Sequence, residues 1–104
     1  MRAETLKGHL DALILAVLAD GPLHGYAVIE ALRLRSEGAF DLAEGTLYPV
    51  LHRLEADGLL ASSWSDASGR RRRIYRLTRR GRGGLARRRE EWAGFARAVD
   101  AVLA

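Results

Sequence analysis

The chain has 104 residues, of which 48% are hydrophobic and 29% charged, and its formal net charge is +4. This length corresponds to one domain, and the composition is typical of an ordinary globular protein rather than of a disordered or membrane-spanning one. The sequence contains no cysteine, which excludes disulfides, thiolate metal sites and thiol redox switches.

The first predicted element is an amphipathic helix over residues 9–19, which ends at Gly21 and Pro22. Its apolar residues recur at the i, i+3, i+4 spacing of a helix stripe. The apolar run at residues 12–19 is too short to span a bilayer, and no apolar stretch with a small-residue cleavage site follows Met1. We therefore expect a cytoplasmic protein without a membrane-spanning segment.

Two further helices are predicted, over residues 24–35 and 45–57, with a turn or short extended piece at residues 36–43. The third helix ends at Gly58, a common residue just beyond a helix C-terminus. Two helices joined by such a turn predict a helix-turn-helix motif.

The outward face of the third helix is unusual for a solvated surface, because it lacks the expected Glu, Lys and Gln. Its centre consists of Gly45, Pro49, His52 and Ala56, flanked by Thr46, Tyr48 and Arg53. Small residues at one end and hydroxyl, imidazole and guanidinium groups further along suit contact with DNA. Pro49 is either early enough to be tolerated or kinks the helix slightly.

Residues 59–65 and 72–77 are predicted to form two short strands, joined by a turn at residues 66–69. Residues 61–104 carry twelve Lys/Arg and four Asp/Glu, whereas residues 1–60 carry five and nine. Four arginines lie at the tip of this hairpin: Arg70, Arg71, Arg72 and Arg73. They form either a solvated charge run, in a chain whose arginine content reflects a GC-rich genome, or a set of phosphate and minor-groove contacts.

The last predicted helix is capped by Thr78 and runs to Leu103 or Ala104. Five apolar residues on it are spaced by 7, 3, 4 and 3 positions, as in a helix–helix interface: Leu85, Trp92, Phe95, Val99 and Val102. A helix this long has more apolar face than the rest of the chain can cover. We therefore expect residues 1–78 to form the binding domain and residues 79–104 a dimerisation helix.

Neither an enzyme nor a metal site is indicated. The three histidines, His9, His24 and His52, fall in separate helices, and Gly81, Gly83 and Gly84 form no phosphate-binding motif. We expect no cofactor and no bound metal. The alternative to DNA binding is that a helix-turn-helix followed by such a hairpin serves RNA or a protein partner.

Four short motifs lie along the predicted elements: His24-Gly25-Tyr26, the segment from Gly45 to Glu55 that begins Gly-Thr-Leu-Tyr-Pro, Gly58-Leu59-Leu60, and Arg73 to Thr78 followed by Gly81. Together they resemble the motifs of the PadR family of bacterial regulators. The resemblance covers roughly residues 9–95, and the short C-terminal part is similar to the subgroup with a single dimerisation helix. Family members often have Ser-Pro before the glycine where this chain has Ala43-Glu44, so the start of the third helix lacks a good cap.

The resemblance implies a winged helix-turn-helix: a mainly α fold with a small β-hairpin and a long C-terminal dimerisation helix. It implies a homodimeric repressor whose third helix enters the major groove of an inverted repeat in double-stranded DNA. The expected base or near-base contacts are Thr46, Tyr48, Pro49, His52 and Arg53, with the four hairpin arginines on the backbone. Tyr48 is alternatively part of the core, with only its hydroxyl reaching a phosphate.

Trp92 has two interpretations. It either fills the dimer interface or lines a pocket in which a flat aromatic effector stacks between subunits, as in some related small regulators. The candidate neighbours of such an effector are Phe95, Leu10, Asp11 and Ile14.

Overall fold

The computed structural model describes residues 8–67 and 69–104. Within these ranges the chain forms four helices and three short strands. In chain order they are α1 (Leu10–Leu18), β1 (Leu23–His24), α2 (Gly25–Arg35), α3 (Glu44–Ala56), β2 (Leu60–Ser65), β3 (Arg72–Leu77) and α4 (Arg79–Leu103). The predicted fold class, mainly helical with a β-hairpin between the third and last helices, is confirmed.

The hydrophobic core forms where α1 packs against α2, α3, α4 and β3. α1 is almost wholly apolar and buries residues on several sides. Leu47, Leu51 and Leu54 of α3 are each 0% exposed, so one face of α3 is fixed to the core. Burial of a leucine contributes roughly 1.5–3 kcal/mol, and the opposite face of α3 is consequently held outward.

The turn between α2 and α3 stops α2 with a specific backbone motif. The N–H of Gly38 donates to the carbonyl of Arg33 at 2.8 Å, and that of Glu37 to Leu34 at 3.2 Å. This pair of bonds is a Schellman motif, and it places Glu37 at φ 54°. Buried Leu42 then ties the extended stretch before α3 to the core.

The end of α3 is closed in the same way, at the predicted glycine. Gly58 has φ 80°, a left-handed conformation that favours glycine. Its N–H donates to the carbonyl of Glu55, and the N–H of Leu59 donates to that of Leu54. The chain therefore reverses directly from α3 into β2.

The three strands form one antiparallel sheet in the order β1-β3-β2. β2 and β3 are the predicted hairpin, with Trp64 opposite Arg73 and Ser65 opposite Arg72. β1 was not predicted, because two residues carry no alternation of polar and apolar side chains. It pairs with β3 and brings His24, which precedes α2, next to the hairpin.

α4 begins after Thr78, as predicted. The Thr78 hydroxyl accepts from the N–H of Gly81 at 3.0 Å and donates to the carbonyl of Gly58 at 2.7 Å, which joins α4 to the end of α3. Gly81 is required here, because a Cβ at this position would overlap the carbonyl oxygen of Leu59.

Leu85 corrects one prediction about α4. It was assigned to the dimer interface, but it is 4% exposed and belongs to the core of its own chain. Heptad spacing does not distinguish a helix that packs on its own domain from one that packs on a second copy. The later residues of α4 do extend beyond the body of the chain, whose longest dimension is 53 Å.

No helix within the described ranges is both long enough and apolar enough to cross a lipid bilayer. Within the same ranges, no three His, Asp or Glu side chains are grouped closely enough to hold a metal ion.

Candidate nucleic-acid interface

The outward face of α3 is exposed where the sequence predicted it. Gly45, Pro49, His52 and Ala56 are all exposed, and Thr46 is half-buried beside them. α3 continues through Pro49 to Ala56, although Pro49 offers no N–H to the helix. Ala43 provides no side-chain cap, in agreement with the departure from the family pattern.

Tyr48 connects α3 to the start of α2. Its ring is half-buried and packs on the core, and its hydroxyl and ring edge occupy the space where a Cβ on Gly25 would lie. The centroid of the His52 ring lies 6.4 Å from that of the Tyr48 ring, and the two ring planes are inclined by 50°. This placement favours the interpretation in which the ring of Tyr48 is partly core, and its hydroxyl lies against the start of α2.

The hairpin, which we call the wing (residues 60–77), presents an exposed tryptophan among its arginines. Trp64 is 55% exposed, with the guanidinium carbon of Arg71 at 4.6 Å from its ring centroid and that of Arg73 at 5.3 Å. Both distances are in the range of a cation–π interaction. Trp64 was not among the predicted site residues, although its register opposite Arg73 follows from the predicted strand ends at residues 65 and 72.

The four wing arginines are not equivalent. Arg73 donates from Nε to the Ser62 hydroxyl at 2.8 Å, and its Nη2 lies 3.8 Å from Oε1 of Glu55 on α3. Arg70 and Arg71 are exposed at the tip. Among the described residues Arg70 has no hydrogen bond or ion pair. Arg70 and Arg71 are therefore the freest of the four for contact with another molecule, while Arg73 is engaged in the fold.

Arg72 contacts His24, whose two ring nitrogens both face donors. Nε2 lies 2.8 Å from Nη1 of Arg72, and Nδ1 lies 3.3 Å from the backbone nitrogen of Ala27 in α2. A neutral imidazole has one acceptor nitrogen, so only one of these contacts is a hydrogen bond at a time. Burial, and then the positive charge of Arg72, lower the pKa of His24 below its ordinary value, which favours the neutral ring.

These elements enclose a groove of about 1140 Å³. It is lined by one side of α2 from Gly25 to Leu34, by Tyr48 and His52 of α3, and by Trp64 and the arginines of the wing. Glu30 and Glu44 also line it. The arginine tip and the exposed face of α3 thus lie on the same side of the chain, with guanidinium groups along one wall.

Arg53 lies at the flank of the α3 face, and the structure places its guanidinium against α1. Nη2 lies 2.6 Å from Oδ1 of Asp11, and Nη1 lies 3.0 Å from Oδ2. Arg88 of α4 approaches the same carboxylate at 3.8 Å. Contact between Arg53 and a base stays a prediction, and it requires the guanidinium to leave Asp11.

The last helix exposes an aromatic cluster. Trp92 is 56% exposed and Phe95 49%, with ring centroids 5.8 Å apart, and His9 meets the edge of Trp92 at 5.3 Å. Val99 and Val102 continue the exposed apolar face.

The structure separates the residues predicted to surround an effector. Ile14 is 0% exposed and Leu10 8%, so both belong to the core and offer almost no surface to a ligand. Asp11 is engaged with Arg53. Of the predicted set, Trp92 and Phe95 remain accessible. The five residues were grouped because of the resemblance to related small regulators. In this chain α1 turns its apolar side toward α2 and α3 as well as α4.

A helix-turn-helix followed by an antiparallel wing defines a winged helix-turn-helix protein. The profile of the Transcriptional regulator PadR-like family matches residues 14–87, which is most of the chain. The chain belongs to this family, whose members are transcriptional regulators that bind DNA rather than enzymes.

Known relatives agree with this assignment. The transcriptional regulator Rv3488 of Mycobacterium tuberculosis is 44% identical over 86 residues, 83% of this chain and 78% of the relative. The crystal structure of a PadR family transcription regulator from Clostridium difficile has a TM-score of 0.82 at 32% identity, covering 93% of this chain and 100% of that one. A transcriptional regulator from Clostridium thermocellum has a TM-score of 0.88 at 27% identity, covering 95% and 97%.

Proposed function

We propose that this chain binds an inverted-repeat operator in double-stranded DNA as a homodimer and represses transcription. The observation that carries the proposal is the groove between α3 and the wing, where an exposed helix face stands beside a row of guanidinium groups. The planar guanidinium group of arginine donates paired hydrogen bonds to phosphate oxygens, and an α-helix fits the major groove of DNA.

The proposed contacts fall into two groups. Thr46, Pro49 and His52 of α3 face the base edges, because they form or flank the exposed face of a helix whose other side is fixed to the core. The hydroxyl of Tyr48 faces a phosphate. Arg70, Arg71 and Arg72 face phosphates or the minor groove. Arg73 stabilises the wing rather than contacting DNA, since its guanidinium is held by Ser62 and Glu55.

On binding DNA, Arg72 exchanges its contact with His24 for a contact with a phosphate. When its guanidinium moves from His24 to a phosphate, the Nδ1 of His24 becomes free to accept from the N–H of Ala27 at the start of α2. The loss of one contact is thereby offset by a better cap on α2.

Homodimerisation through α4 is supported by its exposed apolar face, which includes Trp92, Phe95 and Val99. Leu85 is excluded from that interface because it is buried in its own chain. Two recognition helices related by a twofold axis contact half-sites about 34 Å apart, and the operator is accordingly an inverted repeat.

We further propose that a small aromatic effector stacks on Trp92 and Phe95 near the dimer axis and releases the operator. The support is the exposure of both rings and their tilted packing at 5.8 Å. This site is tested by titrating phenolic acids and planar aromatic cations into the Trp64→Phe variant, in which Trp92 is the one remaining tryptophan. No change in its fluorescence with either class of compound contradicts the effector site.

The proposed function is tested with DNA from the region upstream of the chain's own gene. A mobility shift with excess random duplex, followed by footprinting, is expected to give a protected inverted repeat. Competitor RNA distinguishes the alternative: loss of the shift with RNA but not with random DNA would favour an RNA-binding winged helix. A transcription assay on the same fragment separates repression, the expected result, from activation.

A further inference from the structure

The contact between Asp11 and Arg53 ties an arginine of α3, the helix that we propose faces DNA, to α1 of its own chain. Both terminal nitrogens of Arg53 lie on the two carboxylate oxygens, at 2.6 and 3.0 Å. Such a two-pronged pair fixes the guanidinium in orientation as well as position. In this arrangement the positive end of Arg53 faces α1.

Without this contact, Arg53 would be positioned to reach DNA. It follows His52 directly and lies one turn after Pro49, and at about 100° per residue it projects about 40° from Pro49 around the helix. Both of these neighbours are exposed on the face of α3 that we propose meets DNA. The Arg53 side chain is itself 52% exposed, so about half of its surface is already open to solvent.

The two partners are held very differently. The Asp11 side chain is 22% exposed and is also approached by Arg88 of α4 at 3.8 Å, whose side chain is 24% exposed. The carboxylate is therefore the fixed member of the pair, between three helices, and the guanidinium of Arg53 is the member that moves.

We propose that Asp11 is a specificity-determining residue: it holds Arg53 away from the duplex and so limits affinity for DNA of any sequence. This inference rests on the proposed DNA-binding function. A guanidinium beside a phosphate strengthens binding to every duplex equally, because phosphates carry no sequence. Asp11 removes that sequence-independent contribution, while the rest of the α3 face still selects among sequences.

The experiment uses full-length protein and a random-sequence duplex of about three helical turns, with affinity measured by fluorescence anisotropy at several salt concentrations. Asp11→Asn keeps the shape of the side chain and removes its charge. We expect this variant to bind the random duplex about two- to five-fold more tightly than the wild type for each recognition helix. The gain is small because an ion pair as exposed as Asp11–Arg53 holds the guanidinium only weakly. The dependence of log affinity on log salt is expected to steepen by about 0.9 per subunit, the value for one added phosphate contact.

The chain contains a matched control in Asp20, which pairs with Arg35 at 2.9 Å. Asp20→Asn also removes one negative charge and frees one arginine, and the Arg35 side chain is 51% exposed, compared with 52% for Arg53. Arg35 lies at the end of α2 rather than on α3. A comparable gain from Asp20→Asn would show that net charge alone is responsible and would overturn the inference.

A second comparison uses Arg53 itself. Arg53→Ala combined with Asp11→Asn is expected to return both affinity and salt slope to the values of Arg53→Ala alone. Arg53→Lys leaves α1 intact but cannot form the two-pronged pair, so it is expected to bind the random duplex at least as tightly as the wild type even if Asp11→Asn lowers folding stability.

Each remaining outcome is decisive. Weaker or unchanged binding of random DNA by Asp11→Asn at an unchanged melting temperature overturns the inference. So does binding by Arg53→Lys below the wild-type level. Absence of duplex binding by the wild-type protein refutes the proposed function itself, whereas wild-type binding without a gain in the variants refutes only the role of Asp11.

Discussion

The wing provides the sharpest prediction, because neighbouring arginines in it are held so differently. Arg71 lies over Trp64 at the exposed tip, whereas Arg73 is anchored by Ser62 and Glu55. We therefore expect Arg71→Ala to remove a phosphate contact and Arg73→Ala to act mainly on folding. The two variants lose the same charge two residues apart, and each serves as the control for the other.

The magnitude follows from counterion release. One lost phosphate contact lowers the salt slope by about 0.9, which amounts to about 1.8 for a dimer with two wings. Between about 50 and about 200 mM salt, the affinity of Arg71→Ala is then expected to fall about 12-fold less than that of the wild type. For Arg73→Ala we expect an unchanged slope and a free energy of unfolding lower by about 1 kcal/mol or less, because Arg73 and Glu55 are both partly solvated.

The assay is anisotropy of a labelled operator duplex over a salt series, with urea unfolding measured in parallel. Equal slopes for wild type and Arg71→Ala would refute the assignment of Arg71 to the DNA backbone. A drop in slope for Arg73→Ala as large as that for Arg71→Ala would show that the anchoring contacts do not restrain Arg73.

Three further predictions concern stability, pH and assembly. Gly83→Ala is expected to raise the free energy of unfolding by about 0.5–1 kcal/mol, because a Cβ there meets nothing within 4 Å, whereas Gly81→Ala is expected to lower it, as measured by urea unfolding. Because the pKa of His24 is lowered in the folded chain, protonation of His24 opposes folding. The stabilising contribution of neutral His24 is present above about pH 6.5 and is lost as the pH falls toward the folded-state pKa. His24→Asn, which retains a capping acceptor, is expected to remove this step from the pH profile of the urea midpoint. Trp92→Asp is expected to weaken self-association roughly tenfold or more in sedimentation velocity, since each dimer would bury two indoles that are 56% exposed in the single chain.

Each of these has an outcome that would contradict it. Equal effects of Gly81→Ala and Gly83→Ala would show that the close approach of the Leu59 carbonyl is unimportant. A pH step that persists in His24→Asn would assign it to other groups. Trp64→Asp, at a position with nearly the same exposure, controls for Trp92→Asp: dissociation by both variants would place the dimer interface elsewhere.

Local chemistry in the sequence was sufficient to predict the order and approximate limits of the longer elements. The apolar stripe of the first helix, the glycine after α3 and the threonine before α4 each act within a few residues of themselves. Such signals are short-range, so they can be recognised without knowledge of packing. The outward face of α3 was predictable for the same reason, because helical periodicity alone separates it from the buried leucines.

The tertiary structure decided which partner each charged or apolar residue meets. The sequence does not show that Arg53 faces Asp11, 42 positions earlier, or that Arg72 faces His24 through the unpredicted strand β1. Leu85 and Trp92 share one heptad pattern, yet one is buried in its own chain and the other exposed. Periodicity fixes the face of a helix on which a residue lies, but what covers that face depends on how distant segments pack, and this determines which arginines are free to meet DNA.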